Sequence, residues 1–117
     1  MDAVSKLLRI YTDEAAYFGD RKVFQIVAIR AREAGLAGAT VLQALIGFGH
    51  TPHLHTRQLL EDDQSVVIEI VDEESKLRAF AASLSDLPDI GLMTLAAVEV
   101  LRHATRAGPP QNAGGRP

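Results

Sequence analysis

Apolar and polar positions change their spacing several times along the chain, and each change marks an element. Leu7-Leu8-Arg9-Ile10-Tyr11 is a short β-rich run stopped by Thr12-Asp13-Glu14, which predicts a strand followed by a loop through Gly19. Asp20 stands as the cap of the next helix, in which Phe24, Val27, Ala31 and Ala34 recur at spacings of three and four before Gly35 supplies a stop. Ala39 to Ile46 lies between glycines at 38 and 47, and its β-branched content favours a strand. Val66-Val67-Ile68-Glu69-Ile70-Val71 is the clearest strand of the chain. Asp72 then caps a second helix whose Leu77, Phe80, Ala81 and Leu84 form one stripe, ended by Ser85-Asp86-Leu87-Pro88.

The segment Leu92 to Leu101 reads two ways. Its Leu and Ala content suits a helix, whereas Val98-Glu99-Val100 alternates as a strand does. A strand there completes the order strand, helix, strand, strand, helix, strand, and the expected fold is an α+β, ferredoxin-like βαββαβ sandwich. Two helices cover one face of such a sheet, yet the strands are apolar on both: Thr40, Leu42, Ala44 and Ile46 alternate with Val41 and Leu45, and Val66, Ile68 and Ile70 alternate with Val67 and Val71. The second face is expected to meet a partner, with self-association the first expectation. A valine-rich face left partly wet is the plainer alternative.

Between Gly47-Phe48-Gly49 and Val66 the connection is far longer than an ordinary hairpin loop. Leu54 to Leu60 extends as a strand that turns back through Glu61-Asp62-Asp63-Gln64-Ser65, which makes a projecting hairpin arm with Gly49 to His53 as its mobile part. Long loops on a rigid sheet are where binding residues gather. His50, His53 and His55 lie in this arm, and in an extended segment His53 and His55 point the same way. Neutral imidazoles suit zinc, copper or nickel, so a divalent-metal-binding protein using these three histidines, trimeric if the family resemblance given below holds, is one reading; exposed, pH-sensitive loop histidines are the other.

Composition narrows the function classes. The chain has 117 residues, 47% hydrophobic and 23% charged, enough for one domain with a core. Three of the five prolines and three of the nine glycines fall after Ala107, so residues 104–117 are expected to form a disordered tail beyond a folded unit at 6–103. There is no long apolar run, and Met1-Asp2-Ala3-Val4-Ser5-Lys6 lacks the features of a signal peptide, from which a cytoplasmic location is expected. Zero cysteines exclude disulfides and thiolate chemistry, and a net charge of -3 argues against nucleic acid as a partner. No phosphate-binding loop, nucleophile elbow or zinc-protease motif is present, and the acidic runs Asp13-Glu14 and Glu61-Asp62-Asp63 are expected to be solvated, so the chain is not expected to be an enzyme.

Several separated motifs carry a family resemblance. Gly38-Ala39-Thr40-Val41 followed by Gly47-Phe48-Gly49 and a long loop resembles the second strand and T-loop base of PII signalling proteins. Leu8-Arg9-Ile10-Tyr11, Ala31 to Leu42, Gly47-Phe48-Gly49, His55-Thr56, Val66 to Asp72 and Gly91-Leu92-Met93-Thr94 together resemble a PII-like bacterial and archaeal family whose formal name is a domain of unknown function. The resemblance runs from about Lys6 to His103. It implies a homotrimer of ferredoxin-like protomers with the sheets facing inward, an adenine nucleotide (AMP, ADP or ATP) in the clefts between protomers, and a T-loop that reports the bound state. The partner it implies is a membrane transport protein, by family association a fluoride channel.

By the same resemblance Thr40, Gly47, Phe48, Gly49 and His55 fall at the ligand cleft, where small residues let main-chain N–H groups approach a base or phosphate. Arg102 and Arg106 would add cationic contacts across a protomer boundary. The same glycines also serve a strand that ends in a tight bend. Two departures stand out: the spacing from Gly38 to Gly47 is one residue longer than in PII proteins, and Asp86-Leu87-Pro88-Asp89-Ile90-Gly91 replaces their glycine- and lysine-rich phosphate loop. Acidic residues there are expected to repel a triphosphate and favour a smaller anion or a different ligand.

Overall fold

The computed structural model describes residues 4–44 and 65–102. Along them the chain forms β1 (Ser5–Asp13), β2 (Tyr17–Phe18), β3 (Arg21–Lys22), α1 (Val23–Glu33), β4 (Thr40–Gln43), β5 (Ser65–Glu73), α2 (Glu74–Ala82) and β6 (Leu92–Ala97). β4, β5, β1 and β6 make one four-stranded sheet in that order, and every neighbouring pair is antiparallel. This is a mixed α+β arrangement, consistent with the ferredoxin-like order expected from the sequence. The arm and the C-terminal tail lie outside the described residues.

Period-two alternation sorts the long strands into two faces. Leu8 and Ile10 of β1 and Val66, Ile68 and Ile70 of β5 point toward the helices and are buried. Against them α1 sets Val23, Val27 and Ala31, and α2 sets Leu77 and Phe80, with Leu84 and Leu87 closing the layer from the turn beyond α2. Each such aliphatic side chain taken fully out of water contributes about 1.5–3 kcal/mol, so this interlocked row supplies the main stabilisation of the fold. Thr12, the polar member of the buried set, donates its hydroxyl to the Asp89 carbonyl at 2.7 Å.

The helix ends differ from the expected caps. Asp20 does not cap α1: Gly19, at φ +69, turns the chain through a small β2–β3 hairpin, and the cap position falls on Lys22. The Lys22 N–H donates to the Gln25 side chain at 3.3 Å, while its ammonium pairs with Glu14 and lies over the Tyr17 ring at 5.9 Å. Nor does Asp72 cap α2. Pairing of Lys6 with Asp72 and of Ser5 with Glu73 keeps the chain extended to Glu73, which takes the cap position. The Asp72 carboxylate instead accepts the Ala37 N–H at 2.9 Å and the Glu73 N–H at 2.7 Å, tying the α1–β4 connection to the sheet.

At its C-terminus α1 stops where expected. Gly35 sits in the left-handed region at φ +78, its N–H donates to the Arg32 carbonyl, and the Leu36 N–H reaches back to Ala31 at 3.1 Å. Leu36 and Ala31 are both buried, so the cap also seals the end of the core. The last strand was expected over Leu92 to Leu101; it forms from Leu92 to Ala97 and stops there, because its partner β1 begins at Ser5 and Ala97 already pairs with Lys6. The first strand runs two residues past its expected end, through Asp13, because β5 offers a partner as far as Ser65.

Candidate functional site

The face of the sheet turned away from the helices carries the residues of greatest interest. Register partners share a face, and between the polar outer rows Asp13–Ser65 and Ser5–Glu73 three inner rows cross it. Leu42, Val67, Tyr11 and Leu92 form one; Thr40, Glu69, Arg9 and Thr94 the next; Val71, Leu7 and Ala96 the third. Leu92, Leu42 and Val71 on these rows are 54%, 46% and 39% exposed, whereas Leu8, Ile10, Val66, Ile68 and Ile70 on the opposite face are buried beneath the helices. The polar middle row is organised by one ion pair, in which the Arg9 Nε donates to Glu69 Oε2 at 2.9 Å. That hydrogen bond holds the guanidinium above its ordinary pKa. Thr40 stands beside this pair, at the start of β4 and opposite Glu69.

Of the ligand-site residues expected from the sequence, Thr40 and Arg102 fall among the described residues. Gly47, Phe48, Gly49, His50, His53 and His55 lie outside them, as does Arg106. Thr40 and Arg102 are both exposed. β4 and β6 are opposite edges of the sheet, and Arg102 lies five residues past the end of β6, beyond the end where β1 begins. Among the described residues no group of three or more His, Cys, Asp or Glu side chains is arranged to hold a metal ion.

The loop expected to oppose a phosphate is built differently from that expectation. Asp86 is engaged by Arg30 of α1 through two parallel bonds, Nη1 to Oδ1 and Nη2 to Oδ2, each 2.8 Å. The Arg30 hydrogen bond pulls the Asp86 carboxyl below the usual carboxylate range, and the guanidinium is raised in turn. The charge at Asp86 is therefore matched within the protomer and fastens the turn after α2 to α1. Asp89 is exposed, with a backbone φ of +61, and its carbonyl is held by Thr12 while the Gly91 N–H donates to Tyr11 at 2.8 Å. These bonds anchor the loop at the end of the sheet where β4 ends. Sequence reasoning missed Arg9, Glu69 and Arg30: each is a charged residue in an apolar pattern, and only the strand register or helix packing reveals its partner.

Comparison with known proteins gives the chain a family. Residues 5–100 match a family model described as "DUF190: Uncharacterized ACR, COG1993". The chain belongs to the DUF190 family. Two relatives from Aquifex aeolicus (strain VF5), each called "UPF0166 protein", are similar to it. One is 40% identical over 98 residues, 82% of this chain and 92% of the relative; the other is 35% identical over 78 residues, 63% and 73% respectively. The DUF190 match spans the whole described sheet and both helices, so the uncovered face and the loop anchored by Thr12 and Arg30 lie within the family domain. Among the described residues no helix is long and apolar enough to cross a membrane.

Proposed function

We propose that this DUF190 chain is a PII-like signalling protein without enzymatic activity. In this reading three copies pack their uncovered sheet faces inward, and an adenine nucleotide binds in the clefts between protomers. The arm then reports the bound state to a partner such as a membrane transport protein. The observation that carries the reading is the uncovered face itself. It presents two apolar rows around the single Arg9–Glu69 pair, a surface suited to contact with another copy rather than to water. The placement of Thr40 on one edge strand and of Arg102 five residues past the other agrees with a ligand site shared between copies. Pairing of Asp86 with Arg30 removes one source of repulsion toward a polyphosphate, so ADP and ATP stand beside AMP as candidates.

For the ligand to act allosterically it must favour one arm state over another. The experiment is calorimetry and thermal shift with AMP, ADP and ATP on the whole protein, beside Thr40→Val and Arg102→Ala variants. The reading expects one nucleotide per chain, stabilisation of about 2.7 kcal/mol at a hundredfold excess over Kd, and weaker binding by both variants. Absence of any shift with all three nucleotides at millimolar concentration overturns the ligand part of the proposal.

A further inference from the structure

The polar row in the middle of the uncovered face is partly satisfied within one chain. Arg9 donates through Nε to Glu69 Oε2 at 2.9 Å, and among the described residues neither side chain makes a further hydrogen bond. A guanidinium carries more N–H donors than that one, and a carboxylate a second oxygen, so the Nη groups of Arg9 and Oε1 of Glu69 remain for other partners. The two side chains are 40% and 29% exposed, within reach of whatever meets the face. Thr40 and Thr94 flank them in the same row, and apolar rows run on either side.

What those remaining groups do depends on what covers them. At a wetted surface water satisfies them and the pair contributes little. Under another protein they lose that water, and an ion pair whose remaining donors and acceptors stay unbonded then opposes the contact. A partner for this face therefore brings an acceptor to the Arg9 side and a donor to the Glu69 side, set between apolar rows. A second copy of the chain has both, in a row of the same composition. The row also has a direction: Glu69 of β5 lies toward β4, and Arg9 of β1 lies toward β6. Copies set with the β6 side of one beside the β4 side of the next bring Arg9 toward Glu69, and that order repeats around a closed ring.

We propose that Arg9 and Glu69 are the specificity-determining pair of the contact between copies. The Nη groups of Arg9 in one copy donate to Glu69 of the next, so each charge is bonded once within its chain and once across the interface. This rests on the reading of the face as an inter-chain surface, and it adds the residues that fix how two copies are set against each other.

The test mixes chains. Arg9→Glu leaves like negative charges in its chain and Glu69→Arg like positive ones, and thermal melts show that each folds. Alone, each is expected to associate more weakly than the unsubstituted protein by about a hundredfold or more, because every contact then buries unpaired charge. Mixed in equal amounts at low micromolar concentration, they are expected to recover assemblies that contain both chains, read by native mass spectrometry. A pair that acts inside its own chain alone stays broken in the mixture. Arg9→Met and Glu69→Leu form a milder second set: each removes one charge, and in their mixture an intact Arg9 and an intact Glu69 again stand on different chains. Weak association alone with recovery in a mixture is the expected result. Assembly that ignores all four substitutions overturns the proposal, as does weak association with no recovery in either mixture. Failure of all four chains to fold overturns it too, since the pair then serves the single chain. The unsubstituted protein is measured beside them. If it is a single chain, the reading of the face fails and the pairing falls with it; if it is a trimer and neither mixture recovers, that reading stands and the cross-copy pair is removed.

Discussion

Replacing Leu92 by serine separates a sheet face that meets other copies from one that meets water. In a single chain Leu92 is 54% exposed, pairs with Tyr11 on the uncovered face and takes no part in the helix-side core. If water covers the face, the substitution removes little that folding had buried, and stability changes by less than about 0.5 kcal/mol. If other copies cover it, the exposed half of the side chain is buried on assembly. Full burial of a leucine is worth about 1.5–3 kcal/mol, so that half contributes about 1 kcal/mol per chain. Three chains in one assembly lose about 3 kcal/mol together, which moves the association constant by roughly a hundredfold. Sedimentation velocity over a wide concentration range reads that shift directly, beside thermal melts of the same samples. Leu42→Ser, 46% exposed in the same row, is expected to behave alike, and Ile29→Ser on the helix side to leave the mass unchanged. An unchanged concentration dependence for both Leu92→Ser and Leu42→Ser, with folding intact, refutes the assignment of this face to self-association.

Other outcomes follow from single contacts. Gly35→Ala is expected to cost about 1 kcal/mol in urea unfolding through its φ of +78 alone, since an added Cβ meets nothing within 4 Å. Thr12→Val removes the hydroxyl that holds the Asp89 carbonyl and is expected to lower stability by about 1 kcal/mol, with faster hydrogen exchange at Gly91. The Asp86 carboxyl has a folded-state pKa below its unfolded value, so its pairing contributes stability that is present above the usual carboxylate range and is lost as pH falls through the folded value. Arg30→Gln is therefore expected to flatten the acid side of the stability profile. A profile that keeps its slope in Arg30→Gln would contradict the pairing.

Much of the fold was legible in the chain. Leu77, Phe80 and Leu84 follow the helical period and Val66, Ile68 and Ile70 the strand period, because burial on one side imposes those spacings, while the buried stripe of α1 is Val23, Val27 and Ala31, with Phe24 only partly buried and Ala34 exposed. The ambiguous Leu92 to Leu101 is settled by topology as a strand, since a βαββα chain leaves an edge of β1 for one more, but the strand ends at Ala97. Helix starts were not legible. Asp20 and Asp72 have the chemistry of caps, yet a hairpin claims the first, and strand pairing with Lys6 holds the second extended while its carboxylate turns to Ala37. Of the residues expected at the ligand cleft, Thr40 falls on a strand, as its glycine-flanked run suggested. The pairing of Asp86 with Arg30 joins residues far apart in sequence and leaves no local pattern, so Asp86 read as an unmatched charge.

The central claim is that the uncovered face of the β4-β5-β1-β6 sheet is an inter-chain surface on which the ligand cleft depends. Light scattering on the purified 117-residue chain tests it most directly. The account predicts a mass three times that of the 12.6 kDa chain, held on dilution into the low micromolar range. A mass of one chain at those concentrations contradicts both the inward-facing sheets and the shared cleft.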